Sequence, residues 1–390
     1  MKILYLTSRF PYPLEKGDKL RAYNQIKELS KNHQVILYAI SENKILDKWE
    51  DEIKKVTYYH QTSLLTPLQK YFHLAIGIFN KLPYQINYFF NKTRKRNIEK
   101  LLVRFNPDVV FCQLIRMSEF ARHLEKPKVL DYMDAFSKGV QRRMNEEPFY
   151  IRKIYELEYK RLLRYEAYIH KDFDASIIIS TADKEAIPLQ PNEEMSIIRN
   201  GVNFDYFKPQ PLVKKEFDLV FTGNMSYPPN VSAVLFLYHD ILPLLKTKYP
   251  EIKILIAGAN PVAKLRELHS ENFVITGWVE EINEYYAKSK IFIAPMLIGT
   301  GLQNKLLEAM AMQLPCITSP LVNNSLGAKA NTEILIAENA NAYAAYVFRL
   351  LEDESFAKAI SMAGYEFVTT SFSWSNTIDE LNDIFLKITR

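Results

Sequence analysis

The feature that most constrains the fold is a repeated alternation of short apolar runs with longer helical patterns. In the first half, the apolar runs predict strands at residues 2–6, 34–39, 109–112, 128–130 and 175–180, with a helix at 21–29. Such alternation is typical of a parallel sheet that is covered by helices on both faces. The turn cluster Asn200-Gly201-Val202-Asn203 then interrupts the pattern and indicates a domain boundary.

The second half repeats the pattern. Its predicted strands lie at residues 217–222, 252–257, 273–276, 291–294 and 316–318, with helices at about 231–246 and 302–312. We therefore predict an α/β protein of two Rossmann-like domains that face each other across a cleft. The last residues, 373–390, form an amphipathic helical pattern that is expected to pack onto other elements.

Cysteine content and hydropathy restrict the class of protein. Cys112 and Cys316 lie far apart, which favours two buried thiols in a reducing compartment. The first apolar run is too short for a signal peptide, and no uninterrupted apolar stretch reaches the ~18 residues of a membrane span. We expect a cytoplasmic protein. The seven histidines show no metal-ligand spacing, so no metal or other cofactor is predicted.

Basic charge is concentrated in the first half. Residues 1–203 hold 34 Lys and Arg against 25 Asp and Glu, whereas residues 204–390 hold 16 against 20. Two halves of different charge suggest two domains with different partners. Nucleic acid is not expected among them, because no recognised binding module accompanies the charge.

Residues 70–100 interleave cations with aromatic side chains. One interpretation is an interfacial surface that docks on anionic lipid at the inner face of the membrane. The alternative is that the aromatic residues fill the core of the first domain while the cations form a solvated face. The residues concerned are Lys70, Tyr71, Phe72, Phe79, Lys81, Tyr84, Tyr88, Phe89, Phe90, Lys92, Arg94, Lys95, Arg96 and Lys100.

The strongest local signal is a buried strand that runs into a glycine turn and then a helix, at residues 294–310. Gly299 and Gly301 allow backbone N–H groups to approach an anion, and the new helix directs its positive end to the same place. Lys305 and Glu308 lie three positions apart, on one helix face. A cation for phosphate beside a carboxylate for hydroxyl groups suits a nucleotide diphosphate sugar; an ordinary surface pair is the alternative. The segment has neither a P-loop nor a nicotinamide fingerprint.

This segment and several others resemble a known family. The run GTGLQNKLLEAMAMQLPCITS is similar to the signature of glycosyltransferase family four, whose members are retaining enzymes of the two-domain GT-B fold. NGVNFDYFKP resembles the interdomain linker, FTGNMSYPPN the first strand and loop of the C-terminal domain, and ITGWVEEINEYYAKSKIFIAP the base-binding region. FSWSNTIDEL resembles the closing helix that crosses back to the N-terminal domain. The opening YLTSRFPYPLEKGDKLRAYNQIKEL is similar to sugar transferases of exopolysaccharide systems.

The resemblance implies the division of the chain and a donor site. Residues 1–203 with 373–390 become an acceptor-side domain, and residues 204–372 a donor-binding domain. Glu308 matches the second glutamate of the family's E-x7-E element, which binds the ribose. The donor-binding residues implied are Gly17, Asp18, Gly223, Asn224, Gly277, Val279, Gly299, Thr300, Gly301, Leu302, Gln303 and Glu308.

Several parts of that site have distinct implied roles. The main chain of residues 301–303 is expected to meet the diphosphate or the sugar. Gly277 and Val279 match the loop that holds the nucleobase through main-chain contacts, and Gly17, with Asp18 beside it, matches the glycine loop that covers the donor phosphates.

Other positions depart from the family pattern. The first glutamate of E-x7-E falls on Thr300, and the cations that follow the first C-domain strand fall near Asn224 and Asn230. We expect Lys305 to replace those cations, either alone or with Arg9 or Lys19.

The N-domain histidine of the family falls on Met133. Beside it, Asp131 or Asp134 is expected to contact the acceptor or donor sugar; the alternative is that either caps a turn or helix. Lys305 and Asp134 are the candidate catalytic residues.

The function implied by the resemblance is retaining transfer of a hexose from a nucleotide diphosphate sugar, with a UDP-sugar favoured. The acceptor would be a glycan or lipid-linked glycan in surface polysaccharide or glycoconjugate synthesis. The departing phosphate oxygen takes the acceptor proton in this family, so no general base is predicted. The alternative is a degenerate member that binds sugar nucleotide or glycan as a partner subunit, which Thr300, Asn224 and Met133 would suit.

Overall fold

A computed structural model of the protein describes residues 1–70, 73, 77, 80–146, 148–190, 193–298 and 302–390. The chain divides into two compact units. The first unit comprises Met1–Arg199 and Trp374–Arg390, and the second comprises Asn200–Ser373. Each unit is built on its own parallel β-sheet with helices packed against it.

The sheet of the first unit has the strand order β3-β2-β1-β4-β5-β6-β7. Its strands are β1 Lys2–Thr7, β2 Gln34–Ser41, β3 Tyr59–Leu64, β4 Val109–Gln113, β5 Lys128–Asp131, β6 Ala175–Ile178 and β7 Ser196–Ile197. β1 pairs in parallel with both β2 and β4, and its residues 3–7 are all buried. The strand order reverses between β1 and β4. In open α/β sheets, ligands bind in the crevice beside such a reversal, at the carboxyl ends of the strands.

Helices of the first unit connect these strands. They are α1 Gly17–Leu29, α2 Asp47–Val56, α3 Tyr84–Phe89, α4 Lys92–Phe105, α5 Ser118–Ala121, α6 Phe136–Glu146, α7 Phe149–Ile169 and α8 Thr181–Lys184. Local sequence sets their ends, as α4 illustrates. The Asn91 side chain caps its first turn by accepting hydrogen bonds from the backbone N–H groups of Thr93 and Arg94, and Asn106 ends it in the left-handed conformation.

The sheet of the second unit has the order β10-β9-β8-β11-β12-β13. Its strands are β8 Phe217–Thr222, β9 Ile254–Ala257, β10 Phe273–Ile275, β11 Ser289–Ala294, β12 Cys316–Thr318 and β13 Leu335–Ile336. Its helices are α9 Pro228–Phe236, α10 Leu242–Lys246, α11 Ala263–Arg266, α12 Ile282–Ala287, α13 Asn304–Ala311, α14 Pro320–Leu326, α15 Ala340–Glu352 and α16 Glu354–Ser371. The strand order reverses between β8 and β11.

A π-helical turn, Leu237–Ile241, joins α9 to α10. The single helix that the sequence predicts over about 231–246 is therefore widened in its middle. Pro243 lies in the first turn of α10. Since proline has no N–H to donate, the regular hydrogen-bond ladder cannot continue unchanged through this position.

The closing helix, α17 Trp374–Ile388, belongs to the first unit. Its apolar face is buried there, and Phe385 makes an edge contact with Phe111 of β4 at a ring distance of 6.0 Å. The prediction that the chain crosses back to its N-terminal domain is confirmed, as is the prediction of two Rossmann-like α/β sheets. Within the described residues, no helix has both the length and the apolar character that a bilayer span requires.

Candidate functional site

The densest group of predicted site residues lies in the second unit, where the strand order reverses. Lys305 is in the first turn of α13, after β11, whereas Asn230 is in α9, after β8. The Lys305 Nζ donates a hydrogen bond to Oδ1 of Asn230 and lies 4.4 Å from the ring centre of Phe221. The side-chain Nδ2 of Asn230 donates to the carbonyl oxygen of Asn224 over 2.9 Å. The Lys305 side chain thus connects α13, which follows β11, with α9, which follows β8.

Two glycines allow the loops at this edge to approach each other. Gly223 follows β8 with φ +151°, and a Cβ there would lie 2.6 Å from Nδ2 of Asn230 and 3.2 Å from Nζ of Lys305. Gly258 follows β9 with φ +145°, and its Cβ would lie only 1.8 Å from the carbonyl oxygen of Gly223. Both positions therefore require glycine. At position 223, the absence of a side chain leaves room for the side chains of Asn230 and Lys305.

Glu308 lies one turn further along α13 and is held by Tyr286 of α12. The Tyr286 hydroxyl donates to Oε2 of Glu308 over 2.9 Å and lies 2.7 Å from Oγ1 of Thr222 at the end of β8. A phenol has one hydrogen to donate, so Tyr286 donates to the carboxylate while Thr222 donates to Tyr286. The Tyr286 side chain is fully buried. It therefore fixes the orientation of Glu308 from inside the core.

Burial changes the protonation of both charged groups. It lowers the pKa of Lys305 to about 7, an effect that the nearby Glu308 carboxylate partly opposes. Burial raises the pKa of Glu308, while the hydrogen bond from Tyr286 and the charge of Lys305 act in the opposite direction. A lysine whose pKa lies near neutral pH binds an anion favourably, since the anion stabilises the charged form of the side chain.

The other predicted donor residues of this unit lie in neighbouring loops. Gly277, with φ +74°, has open space where a Cβ would be, and its carbonyl oxygen accepts from the N–H of Gly258 over 3.0 Å. Val279 is half-buried after the exposed Trp278. Leu302 packs on the core, and Gln303 is the residue that precedes α13. Gly299, Thr300 and Gly301 lie outside the described residues, so their assignments stay predictions.

Asn224 has a local structural role. Its Oδ1 accepts hydrogen bonds from the backbone N–H and the hydroxyl of Ser226, at 3.0 and 2.8 Å. Its position after β8 is as predicted, but its side-chain oxygen is occupied by this turn.

In the first unit, Asp18 forms an ion pair with Arg9, with Nη1 and Oδ2 2.5 Å apart. Gly17 is the first residue of α1. Lys19 pairs with Glu15 at 2.9 Å. The two cations predicted to assist Lys305 are therefore each paired with a carboxylate of their own unit, and their assisting role stays a prediction.

Asp131 and Asp134 have different environments. Asp131 is fully buried and accepts from Nε of the equally buried Arg21 at 2.7 Å, which favours a structural role over the predicted contact with a sugar. The Asp134 side chain is exposed to solvent. It follows Met133, whose φ is +64°. Desolvation by the surrounding protein, together with the negative charge of Asp183, raises the pKa of Asp134 to about 7.

Sequence reasoning missed Tyr286 and the amide of Asn230. The base-binding segment contains the pair Tyr285-Tyr286, and only the three-dimensional structure shows that the second ring points at Glu308. Asn230 lies near a position where the family has a cation. Its side chain accepts a hydrogen bond from Lys305, the residue expected to replace that cation.

Part of the basic and aromatic segment at 70–100 is core. Phe89 is buried, and Arg94 is 2% exposed, with its guanidinium bonded to Ser63, Gln69 and two carbonyl oxygens. These two residues cannot face a lipid surface, because they are enclosed. Lys81, Lys92, Arg96 and Lys100 are exposed, whereas Tyr71, Phe72 and Phe79 lie outside the described residues. Docking on a membrane stays a prediction.

The two cysteines are free and buried, as predicted. In the part of the chain that the structure describes, no group of three or more His, Cys, Asp or Glu residues is arranged to hold a metal ion.

Comparison with known proteins gives a family match within the second unit. Residues 216–353 match the model of the family described as glycosyl transferases group 1. Over almost its whole length, the chain is similar to a Klebsiella pneumoniae protein described as an uncharacterized 44.6 kDa protein in the cps region. The two are 23% identical over 394 residues, which cover 95% of this chain and 96% of the relative.

Solved structures resemble the whole chain. Sucrose-phosphate synthase from Thermosynechococcus elongatus superimposes with a TM-score of 0.72 at 13% identity, over 100% of this chain and 99% of that one. A glycosyltransferase from Rickettsia africae gives 0.70 at 16% identity, with 100% and 98% covered. HepE of Anabaena in complex with UDP gives 0.71 at 13% identity, with 99% and 100% covered.

These likenesses define the fold as GT-B. The matched domain contains Lys305, Glu308 and Tyr286 and fills most of the second unit. The protein is a glycosyltransferase with a glycosyl transferases group 1 domain at residues 216–353.

Proposed function

We propose that the protein is a retaining glycosyltransferase of family four that moves a hexose from a nucleotide diphosphate sugar to a glycan or lipid-linked glycan. The observation that carries this proposal is the position of Lys305 and Glu308 at the β8/β11 reversal of the second-unit sheet. Parallel α/β sheets bind nucleotides at such a point. A cation and an oriented carboxylate in the first turns of one helix match a diphosphate and the hydroxyl groups of a ribose.

The chemical roles follow from charge. Departure of the sugar leaves negative charge on the diphosphate, and the Lys305 ammonium together with the backbone N–H groups at the start of α13 stabilises it. Glu308, held by Tyr286, accepts hydrogen bonds from the ribose. Asp134, with its pKa near 7, is the candidate contact to the sugars on the first unit.

The donor and the pathway have support from similar proteins. HepE has been solved in complex with UDP and with UDP-glucose, which favours a uridine donor for this chain. The Klebsiella relative lies in the cps region, which favours a role in surface polysaccharide synthesis. We place that work in the cytoplasm, at or near the inner face of the membrane.

Titration of the purified protein with UDP, UDP-glucose and GDP by calorimetry tests the donor site. We expect Glu308→Gln to weaken UDP affinity by at least about tenfold, since a hydrogen bond to a charged group is lost. Glu267→Gln, at an exposed position of the same unit, is the matched control. Equal affinities for all three proteins would remove Glu308 from the site.

The reaction itself is tested by nucleoside diphosphate release in the presence of acceptor panels. The anomeric configuration of the product is then read by NMR. Retention supports the proposal, and inversion overturns it. Donor binding without release under any acceptor would favour a partner subunit that only binds.

A further inference from the structure

Arg116 of the first unit lies beside the reversal of that unit's sheet and has no part in the donor site proposed above. It belongs to a 3-10 turn, Ile115–Met117, that is separated from β4 only by Leu114. β4 is the neighbour of β1 across the reversal. The residue therefore occupies the place where open α/β sheets bind ligands.

The guanidinium of Arg116 is held by neutral groups. Its Nε and Nη2 donate to Oε1 of Gln85 at 3.2 and 2.6 Å. The guanidinium centre lies 4.6 Å from the ring centre of Phe136 and 5.6 Å from that of Phe89. Among the described residues, Arg116 has no ion-pair partner.

The surroundings of Arg116 favour a bound anion. Burial and the nearby positive charge of Arg9 lower its pKa to about 10, and carboxylates including Asp18 and Asp134 offset this only through space. The group is still charged at neutral pH. A half-buried cation that is fixed by an amide and two rings, without a carboxylate in contact, gains free energy when an anion binds.

Backbone and hydroxyl groups at the same edge of the sheet point to a ligand as well. Leu114, which immediately follows β4, has φ +67°, and Met133, after β5, has φ +64°. Non-glycine residues in such conformations concentrate at functional sites. Ser8, after β1, is 1% exposed, and its hydroxyl has no partner among the described residues.

We infer that Arg116 binds a carboxylate or phosphate group of the acceptor, so that the enzyme selects an anionic acceptor. This inference rests on the proposed glycosyl transfer and adds the chemical class of the acceptor. A guanidinium binds either anion through two parallel hydrogen bonds, which a lysine cannot reproduce. The anion can come from an acidic sugar or from the phosphate of a lipid carrier.

Two matched pairs of probes distinguish these sources. One pair is p-nitrophenyl glucuronide and p-nitrophenyl glucoside; the other is farnesyl phosphate and farnesol. Binding to the full-length protein is measured by ligand-observed NMR with and without saturating UDP. We expect one anionic probe to bind at least about tenfold more tightly than its neutral partner. Arg116→Gln removes that preference, and Arg116→Lys restores it only in part.

Arg104→Gln is the matched control. Arg104 also lies over two aromatic rings, those of Tyr59 and Phe105 at 4.9 Å each, but at the amino end of β3. The Arg104→Gln variant should keep the full preference for the anionic probe. Equal binding of charged and neutral probes by the wild-type protein, or equal losses in both variants, would overturn the inference. UDP affinity, measured in the same samples, reports on the donor site independently, and thermal melting confirms that each variant is folded.

Discussion

The hydroxyl of Tyr286 lies between the carboxylate of Glu308, at 2.9 Å, and the hydroxyl of Thr222, at 2.7 Å. The three residues come from α12, α13 and the end of β8. One buried phenol therefore links the helix that carries Lys305 and Glu308 to the central strand of the second-unit sheet. The hydrogen bond from Tyr286 therefore helps to fix the orientation of Glu308.

Tyr286→Phe removes the link without changing the shape of the core. We expect the free energy of unfolding to fall by about 1–3 kcal/mol, because Thr222 and Glu308 both lose a buried partner. UDP affinity should fall by about fivefold, as Glu308 is no longer oriented. Urea denaturation and calorimetry measure the two effects.

Tyr343→Phe is the control for that change. Tyr343 is also buried in the second unit, but its hydroxyl reaches its acceptor, the carbonyl oxygen of Ala294, only at 3.5 Å. It should alter stability less and leave UDP affinity unchanged. Equal effects of the two substitutions on UDP affinity would show that the hydrogen bond from Tyr286 to Glu308 is not needed for donor binding.

Proton uptake should accompany donor binding above neutral pH. The pKa of Lys305 is lowered to about 7 by burial, so the amine is mostly neutral at pH 8.5 in the free protein. A bound diphosphate favours the ammonium form, and UDP binding at this pH should take up close to one proton, roughly 0.9. Calorimetry in buffers of different ionisation enthalpy measures this number. Lys305→Gln should abolish the uptake, whereas Lys215→Gln, at another partly desolvated lysine of the same unit, should retain it.

The same pKa predicts how Lys305 affects stability. Its folded value, about 7, lies below the value of 10.5 that the side chain has in the unfolded chain. Between these values the unfolded chain binds more protons, so the contribution of Lys305 to the free energy of unfolding rises with pH. The difference between wild type and Lys305→Gln in urea denaturation should therefore shift in favour of wild type from pH 7 to pH 9.5. A constant difference would mean that the lysine is charged in the folded protein throughout.

The sequence predicts the sheets well and the site only in outline. β1 and β8 are recognisable because strands buried on both faces of a parallel sheet consist almost wholly of apolar residues. Lys305 and Glu308 are recognisable because three positions along a helix bring them to one face. The contact of Tyr286 with Glu308 joins residues 22 positions apart, and that of Arg21 with Asp131 joins residues 110 apart. Neither periodicity nor local charge encodes which side chains meet over such separations.

Close packing of the loops after β8 and β9 should make Gly258 intolerant of any side chain. In Gly258→Ala the new Cβ would lie 1.8 Å from a backbone oxygen, that of Gly223, so one of the two loops must move. We expect a loss of more than about 3 kcal/mol in the free energy of unfolding, as backbone strain adds to the clash. Gly277→Ala meets open space and should lose only about 1–2 kcal/mol from its left-handed φ. Equal losses would show that the clash is relieved at no cost.

The buried pair of Arg21 and Asp131 should determine stability rather than catalysis. Both side chains are fully buried, and Arg21 also donates through Nη2 to the carbonyl oxygen of Ile198 at 3.0 Å. Arg21→Met leaves the Asp131 carboxylate without its charge partner in the core, which should cost about 3–5 kcal/mol. Lys31→Met, which breaks an exposed pair with Glu28, should cost less than about 1 kcal/mol.

Affinity for a nucleotide sugar such as UDP-glucose distinguishes a structural role of Asp131 from a contact with the donor sugar. At a temperature where Arg21→Met remains folded, its affinity for UDP-glucose should equal that of the wild type, because the pair is enclosed within the first unit. A variant that keeps its melting temperature but loses donor affinity would instead return Asp131 to the site. Asp134→Asn should give the opposite pattern: transfer is slowed, whereas stability above neutral pH is kept or raised, because the raised pKa of Asp134 means that its charge opposes folding. The comparison of the two neighbouring aspartates thus tests which one faces the substrate.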